Sequence, residues 1–137
     1  MKKVILLFTG IMLLSSCGDD SASAEGGENV EVGNKTTIVV NPIYDAGDVV
    51  KGEIITAVFT VKNTGKYPLV VSEVKGSCTC TVAEKPEKPI APGSEAVIKA
   101  EVDTEKTSSG DISKSVRIVA NTEPSVTEVV IKAKVKN

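Results

Sequence analysis

Apolar and polar side chains alternate with a period of two along much of this chain. In residues 54–63, Ile55, Ala57, Phe59 and Val61 fall on one side and Thr56, Thr60 and Lys62 on the other. In residues 95–103, Ala96, Ile98, Ala100 and Val102 share a face opposite Glu95, Lys99, Glu101 and Asp103. In residues 127–135, Val129, Ile131, Ala133 and Val135 alternate with Glu128, Lys132 and Lys134. Successive side chains of a strand point to opposite faces, so this pattern predicts half-buried antiparallel strands. Further strands are expected at 36–40, 69–74, 79–82 and 112–120. Turn signals separate them: Asn63-Thr64-Gly65, Ala91-Pro92-Gly93, Ser108-Ser109-Gly110 and Asn121-Thr122-Glu123-Pro124. No segment carries a helical period. About seven short antiparallel strands in one domain predict an all-β, immunoglobulin-like β-sandwich. The Cys…Trp…Cys spacing of true immunoglobulins is absent, so the core must be built from Val, Ile, Leu and Ala.

The N-terminus follows a different logic. Lys2 and Lys3 precede the apolar run 4–14, which ends in Leu14-Ser15-Ser16-Cys17. A basic start, an apolar stretch and a small-residue junction make a secretory signal. The apolar run is too short for the ~20 residues that a spanning helix needs. The junction resembles the lipobox of bacterial lipoproteins, in which the cysteine is acylated and becomes the first residue. The resemblance implies three parts: a signal peptide over 1–17, a tether over 18–35 and a sandwich domain over 36–137. Residues 18–35 are small, polar and aperiodic, as a flexible tether should be, with a random-coil reach of roughly 20–25 Å.

Composition then narrows the function. Of 137 residues, 121 remain once Cys17 becomes the first, enough for one core. Losing the two signal lysines from sixteen basic residues, against eighteen acidic ones, leaves a net charge of −4. Such a chain is a poor partner for nucleic acid. The whole sequence lacks histidine, which removes Ser-His and Cys-His nucleophiles and His-ligated metals. It also lacks tryptophan, and beyond the signal its aromatics are Tyr44, Phe59 and Tyr67, too few for a base-stacking platform. No catalysis and no cofactor are expected.

Cys78-Thr79-Cys80 is the one reactive constellation. With Cys17 acylated, these two form an even pair in an oxidising compartment. In extended strand their Cα atoms would stand about 6.6 Å apart, at the edge of disulfide range, so a bond between them needs a bend near Gly76-Ser77. Four roles are open: a disulfide staple, two buried apolar thiols, a soft-metal pair for Cu(I) or Zn, and a redox-active dithiol. No methionine or histidine stands ready to complete a metal site, so no metal site is firm.

Several ordered motifs carry a family resemblance. They are Ile43-Tyr44-Asp45-Ala46-Gly47, Gly52-Glu53, Phe59-Thr60-Val61-Lys62-Asn63-Thr64-Gly65, Pro68-Leu69-Val70-Val71, Gly76-Ser77-Cys78-Thr79-Cys80-Thr81-Val82, Pro89-Ile90-Ala91-Pro92-Gly93 and Asn121. Together they resemble the domain of unknown function 1573 (DUF1573), over roughly residues 36–135. This chain has Thr79 where that family usually has glycine. The resemblance implies an immunoglobulin-like domain in the envelope lipoproteins and secreted proteins of Bacteroidetes, and implies no activity. Asp19-Asp20 is similar to the acidic signal that sends such lipoproteins to the outer face of the outer membrane. Asp20-Ser21-Ala22 resembles that group's O-glycosylation motif, which makes Ser21 a candidate acceptor.

These readings converge on a lipid-anchored binding or scaffolding module of the cell envelope, at the outer membrane and facing a protein or glycan. The rival is an envelope thiol protein that carries electrons or a soft metal through Cys78 and Cys80. Residues 74–92, with both cysteines and three prolines, are the segment expected to matter. Lys132, Lys134 and Lys136 alternate along the last strand, where charge is expected to guard a sheet edge. Asp103 and Glu105 are expected to be solvated rather than an acid–base pair.

Overall fold

The structure, a computed structural model, describes residues 34–137, so Cys17, Asp19, Asp20 and Ser21 lie outside the described residues. Alternation in the sequence becomes alternation in burial. In β3 (Ile54–Asn63), every second residue from Ile55 to Asn63 is buried. β6 (Glu95–Asp103) pairs antiparallel with it, and Ile98, Ala100 and Val102 are sealed inside. The flanking strands are β1 (Ile38–Val40) and β5 (Thr81–Glu84), giving a first sheet of order β1-β3-β6-β5. The second sheet has order β2-β8-β7-β4, from β2 (Ile43–Val50), β8 (Val126–Lys136), β7 (Gly110–Ala120) and β4 (Val71–Gly76). One 3-10 turn, Thr104–Lys106, joins β6 to β7.

The sheets face each other across Phe59, Leu69, Ile98, Ile118, Ile131, Val116 and Val129, all fully buried. Tyr44 meets Phe59 edge-on, with ring centroids 6.2 Å apart. Each such side chain contributes about 1.5–3 kcal/mol on burial, which makes this interface the main stabilising layer. Among the described residues, every buried side-chain nitrogen or oxygen has a hydrogen-bond partner.

Two crossings close the sandwich at its sides. Asn41-Pro42 carries the chain from β1 in one sheet to β2 in the other; the Pro42 carbonyl accepts from Val130 N at 2.7 Å. On the opposite side, residues 77–80 carry the chain from β4 to β5, again between sheets.

The immunoglobulin-like sandwich agrees with the sequence pattern, and three details differ. There are eight strands among the described residues, the added one being β2. Its alternation is broken by a bulge between Asp45 and Asp48, where Gly47 takes φ +67° and its N–H meets Asp45 Oδ1 at 2.9 Å. A glycine with Asp45 and Asp48 nearby in sequence reads as a turn, yet it serves a bulge. Second, β2 pairs with β8 in parallel, so the strands are not all antiparallel. Third, β8 lies between β2 and β7, so its lysines do not guard an edge. Lys132 and Lys134 stand opposite Asp45 and Asp48, and Lys136 Nζ reaches Asp48 Oδ2 at 2.7 Å.

Candidate functional site

Three places concentrate polar chemistry: the two poles of the sandwich and the β4–β5 crossing. At the pole where the described chain enters, Asn63 ends β3 with no exposure to solvent. Its Oδ1 accepts from Thr36 Oγ1 at 2.7 Å and from Gly65 N at 3.1 Å. Its Nδ2 donates to the carbonyls of Tyr67 at 2.8 Å and Ile90 at 2.9 Å. Asn121 repeats the device from β7: Oδ1 accepts from Val70 N at 2.7 Å, and Nδ2 donates to the Asn34 and Pro68 carbonyls at 2.9 Å. Thr36 joins the two hubs, since its N–H donates to the Asn121 carbonyl at 2.8 Å. The Asn-Thr-Gly and late-Asn motifs are therefore the ties of one pole, not a reactive site. Residues 34 and 35, at the end of the expected tether, already pack here, with Lys35 paired to Glu123.

The opposite pole is tied by buried Thr104. Its hydroxyl donates to the Glu53 carbonyl at 2.6 Å and accepts from Gly52 N at 2.9 Å. Asp103, expected to be merely solvated, caps the 3-10 turn: Oδ1 accepts from Glu105 N at 3.1 Å and Oδ2 meets Lys106 Nζ at 3.0 Å. The Lys106 hydrogen bond, chiefly, holds its carboxyl below the usual range. The Lys136 hydrogen bond and charge do the same for Asp48, and the Glu101 hydrogen bond raises Lys99. Asp48 and Lys99 are exposed and Asp103 is partly exposed, so all three are surface groups rather than poised acids or bases.

The β4–β5 crossing holds the cysteines. Gly76 ends β4 opposite Val116, and Ser77 N donates to the Ser115 carbonyl at 2.8 Å. The chain then bends, bringing the Cα atoms of Cys78 and Cys80 to 5.2 Å with their sulfurs joined in a disulfide. In this form neither sulfur is a thiolate ligand. Cys80 is 4% exposed, whereas Cys78 is only partly covered. Beyond the bend, the Cys80 carbonyl accepts from Asp103 N at 2.9 Å. Thr81 Oγ1 lies 3.5 Å from Cys78 Sγ and 3.7 Å from Cys80 Sγ. Nothing in the sequence marked Thr81, because its proximity to both sulfurs arises only from the bend. Gly76 makes room for it: a Cβ there would lie 2.5 Å from Thr81 Cβ. Lys75, close to the cysteines in sequence, stands opposite Arg117 in the β4–β7 pair. Residues 74–92 are thus the end of β4, the crossing, the edge strand β5 and a proline-rich return to Ile90, which bridges to Leu69. Among the described residues, no group of three or more His, Cys, Asp or Glu side chains could hold a metal ion. No helix among them is long and apolar enough to cross a membrane.

Fold and ties define an immunoglobulin-like β-sandwich with a Cys-X-Cys crossing between its sheets. The chain belongs to the family described as "Protein of unknown function (DUF1573)", whose model matches residues 36–135. No curated protein matches it in sequence. Among solved structures it is similar to a protein of unknown function from Porphyromonas gingivalis W83, at 21% identity and TM-score 0.63. That match covers 73% of this chain and 47% of the other, so this chain spans about half the length of that protein. It is also similar to the ASH / PapD-like domain 7 of human CEP192, at 11% identity and TM-score 0.55, covering 75% and 87% of the two chains. A third is the secreted serine protease VesC from Vibrio cholerae, at 12% identity and TM-score 0.56, covering 73% and 23%. At these identities the likeness establishes the fold.

Proposed function

We propose that this protein is a binding or scaffolding module of the cell envelope, anchored to the outer membrane by acyl chains on Cys17, with no catalytic role. One observation carries the reading. The described chain enters at a single pole, where Asn34 and Lys35 are tied to Asn121 and Glu123. The side edges and the opposite pole, built from residues 51–53 and 104–109, therefore stand away from the anchor. A short tether behind that entry suits presentation of those surfaces to an envelope protein or glycan. The motif residues at the entry pole are consumed by folding, which leaves loops and edge strands for recognition. Edge strand β5 is four residues long, and Val82 on it is 66% exposed. Such an edge can accept an extended segment of a partner by strand addition. The sequence Asp19-Asp20 supports export to the outer face, and Ser21 is the candidate acceptor for O-glycosylation.

The anchor is tested by detergent-phase partitioning of whole-cell protein. Wild type enters the detergent phase and Cys17→Ala moves to the aqueous phase; unchanged partitioning contradicts the anchor. The binding role is tested with photo-crosslinking residues placed at Lys51, Val82 and Ser109 of the anchored protein in intact cells. A discrete adduct from at least one site is expected. A folded, anchored protein that gives none contradicts it.

A further inference from the structure

We propose that Cys78 and Cys80 are a reversible dithiol–disulfide couple that exchanges two electrons with a dithiol protein of the envelope, and that Cys78 is the sulfur attacked. This goes beyond the binding reading and rests on it only for the envelope location. Three observations at the crossing carry it.

The disulfide contributes little as a staple. It closes a loop of only three residues, and the chain entropy removed by a cross-link falls with the length it spans. The bend is also held without it. Ser77 N donates to the Ser115 carbonyl and Ser115 N donates to Ser77 Oγ at 3.2 Å on one side. Asp103 N holds the Cys80 carbonyl on the other, and Thr81 N donates to the Cys78 carbonyl at 3.2 Å across the bend. The backbone can therefore keep its course with the sulfurs apart.

The two sulfurs differ in access. Cys78 is partly exposed on the sandwich edge, whereas Cys80 is turned into the interior. An incoming thiolate can approach the more exposed Cys78, and the buried Cys80 is then the sulfur expelled. Exchange depends on which sulfur can be approached, and here only one offers itself. Just upstream of it in the chain, an open groove is lined by Glu73, Lys75, Ser77, Ser115, Arg117 and Glu128, a surface of mixed charge that can seat the partner's chain.

The Thr81 hydroxyl serves the sulfur that leaves. Burial disfavours a thiolate unless a donor faces it. Thr81 Oγ1 lies within hydrogen-bonding reach of both sulfurs, and Gly76 lets it pack that closely.

The exchange balances as follows. The donor's thiolate bonds to Cys78 Sγ while the Cys78–Cys80 bond breaks, and Cys80 Sγ leaves with the electron pair. It accepts a hydrogen bond from Thr81 and then a proton from water. The donor's second thiolate attacks its own sulfur in the mixed disulfide. Cys78 Sγ leaves with its pair and is protonated. The cysteine pair has gained two electrons and two protons, and the donor dithiol has become a disulfide.

The test uses the full-length protein in detergent, equilibrated with glutathione buffers of graded thiol-to-disulfide ratio, acid-quenched, alkylated and weighed. The pair is expected to pass from oxidised to reduced within millimolar glutathione while near-ultraviolet circular dichroism stays native. With oxidised glutathione, Cys80→Ser is expected to form a mixed disulfide through Cys78 at least tenfold faster than Cys78→Ser does through Cys80. Thr81→Val, which keeps the side-chain shape, should slow reduction of the native pair by dithiothreitol several-fold without lowering the melting temperature. A pair that stays oxidised throughout, or is reduced only as the protein unfolds, overturns the proposal. Equal labelling of the two single variants overturns the assignment to Cys78, and an unchanged rate in Thr81→Val overturns the role of its hydroxyl.

Discussion

Removing the side chain of Asn63 should destabilise the domain more than any other single polar truncation at the entry pole. The amide makes four hydrogen bonds, to Thr36, Gly65, Tyr67 and Ile90, and is wholly shielded from water. At about 0.5–1.5 kcal/mol net for each bond, Asn63→Ala forfeits roughly 4 kcal/mol. Leaving buried Thr36 and Ile90 with unmet groups keeps the value from falling lower. Against a total of about 5–15 kcal/mol for an ordinary domain, that is a large fraction. With a urea slope near ~1.5 kcal/mol per M, the unfolding midpoint should fall by roughly 2–3 M at unchanged slope. Equilibrium urea unfolding followed by circular dichroism measures this directly. Asn63→Asp is the sharper comparison. It keeps the acceptor but loses both donated bonds and adds a buried charge, so it should be at least as damaging as alanine. A midpoint shift below ~0.5 M for Asn63→Ala would refute the view that this motif residue exists to tie the pole.

Gly65→Ala should cost about 1–3 kcal/mol, because its Cβ would press into Thr36 Oγ1 and lie 2.6 Å from Thr37 N. Both changes break the Thr36–Asn63 bond, so in urea unfolding Gly65→Ala should cost less on the Asn63→Ala background than on wild type. Phe59→Ala empties the centre of the interface and should cost about 3–5 kcal/mol by thermal or urea unfolding. Asp48 and Asp103 titrate lower in the folded state than in the unfolded one, chiefly through Lys136 and Lys106. Their contribution is complete above the unfolded carboxyl pKa of about 3.9 and is lost as pH falls through the folded values. The double variant Asp48→Asn, Asp103→Asn should show a flatter acid limb of stability than wild type, and 1 M salt should shrink the difference between them.

Much of the fold was legible because one side of each strand is buried and the other wet. Residues 54–63 and 95–103 were bounded at the very residues where β3 and β6 begin and end, since Thr, Lys and Glu alternate there with Ile, Val, Ala and Phe. The edge strands were displaced: 69–74 became Val71–Gly76 and 79–82 became Thr81–Glu84. Short segments beside a crossing carry too few alternations to fix their ends. β2 was missed because Asp45, Gly47 and Asp48 interrupt its period, and its parallel partner lies at the far end of the chain. Without β2, β8 reads as an edge strand and its lysines as edge protection, whereas in the fold β2 covers that side. The bend at the cysteines was foreseeable from Cα spacing and Gly76-Ser77. Thr81 was not, because its position depends on the space left by a glycine five residues earlier. The asparagine hubs could be seen as motifs, but their roles required knowing which carbonyls the fold gathers at one pole.

The measurement that tests the whole account most directly is the intact mass of the native protein taken from its own membranes, with and without alkylation. An envelope module anchored at residue 17 and oxidised at its crossing should begin at an acylated Cys17 and weigh two hydrogen atoms less than the reduced chain. It should take up alkyl groups only after reduction. A chain that retains Met1 or begins without acyl chains would contradict the anchor, and a pair that alkylates fully before reduction would contradict a crossing held oxidised at rest.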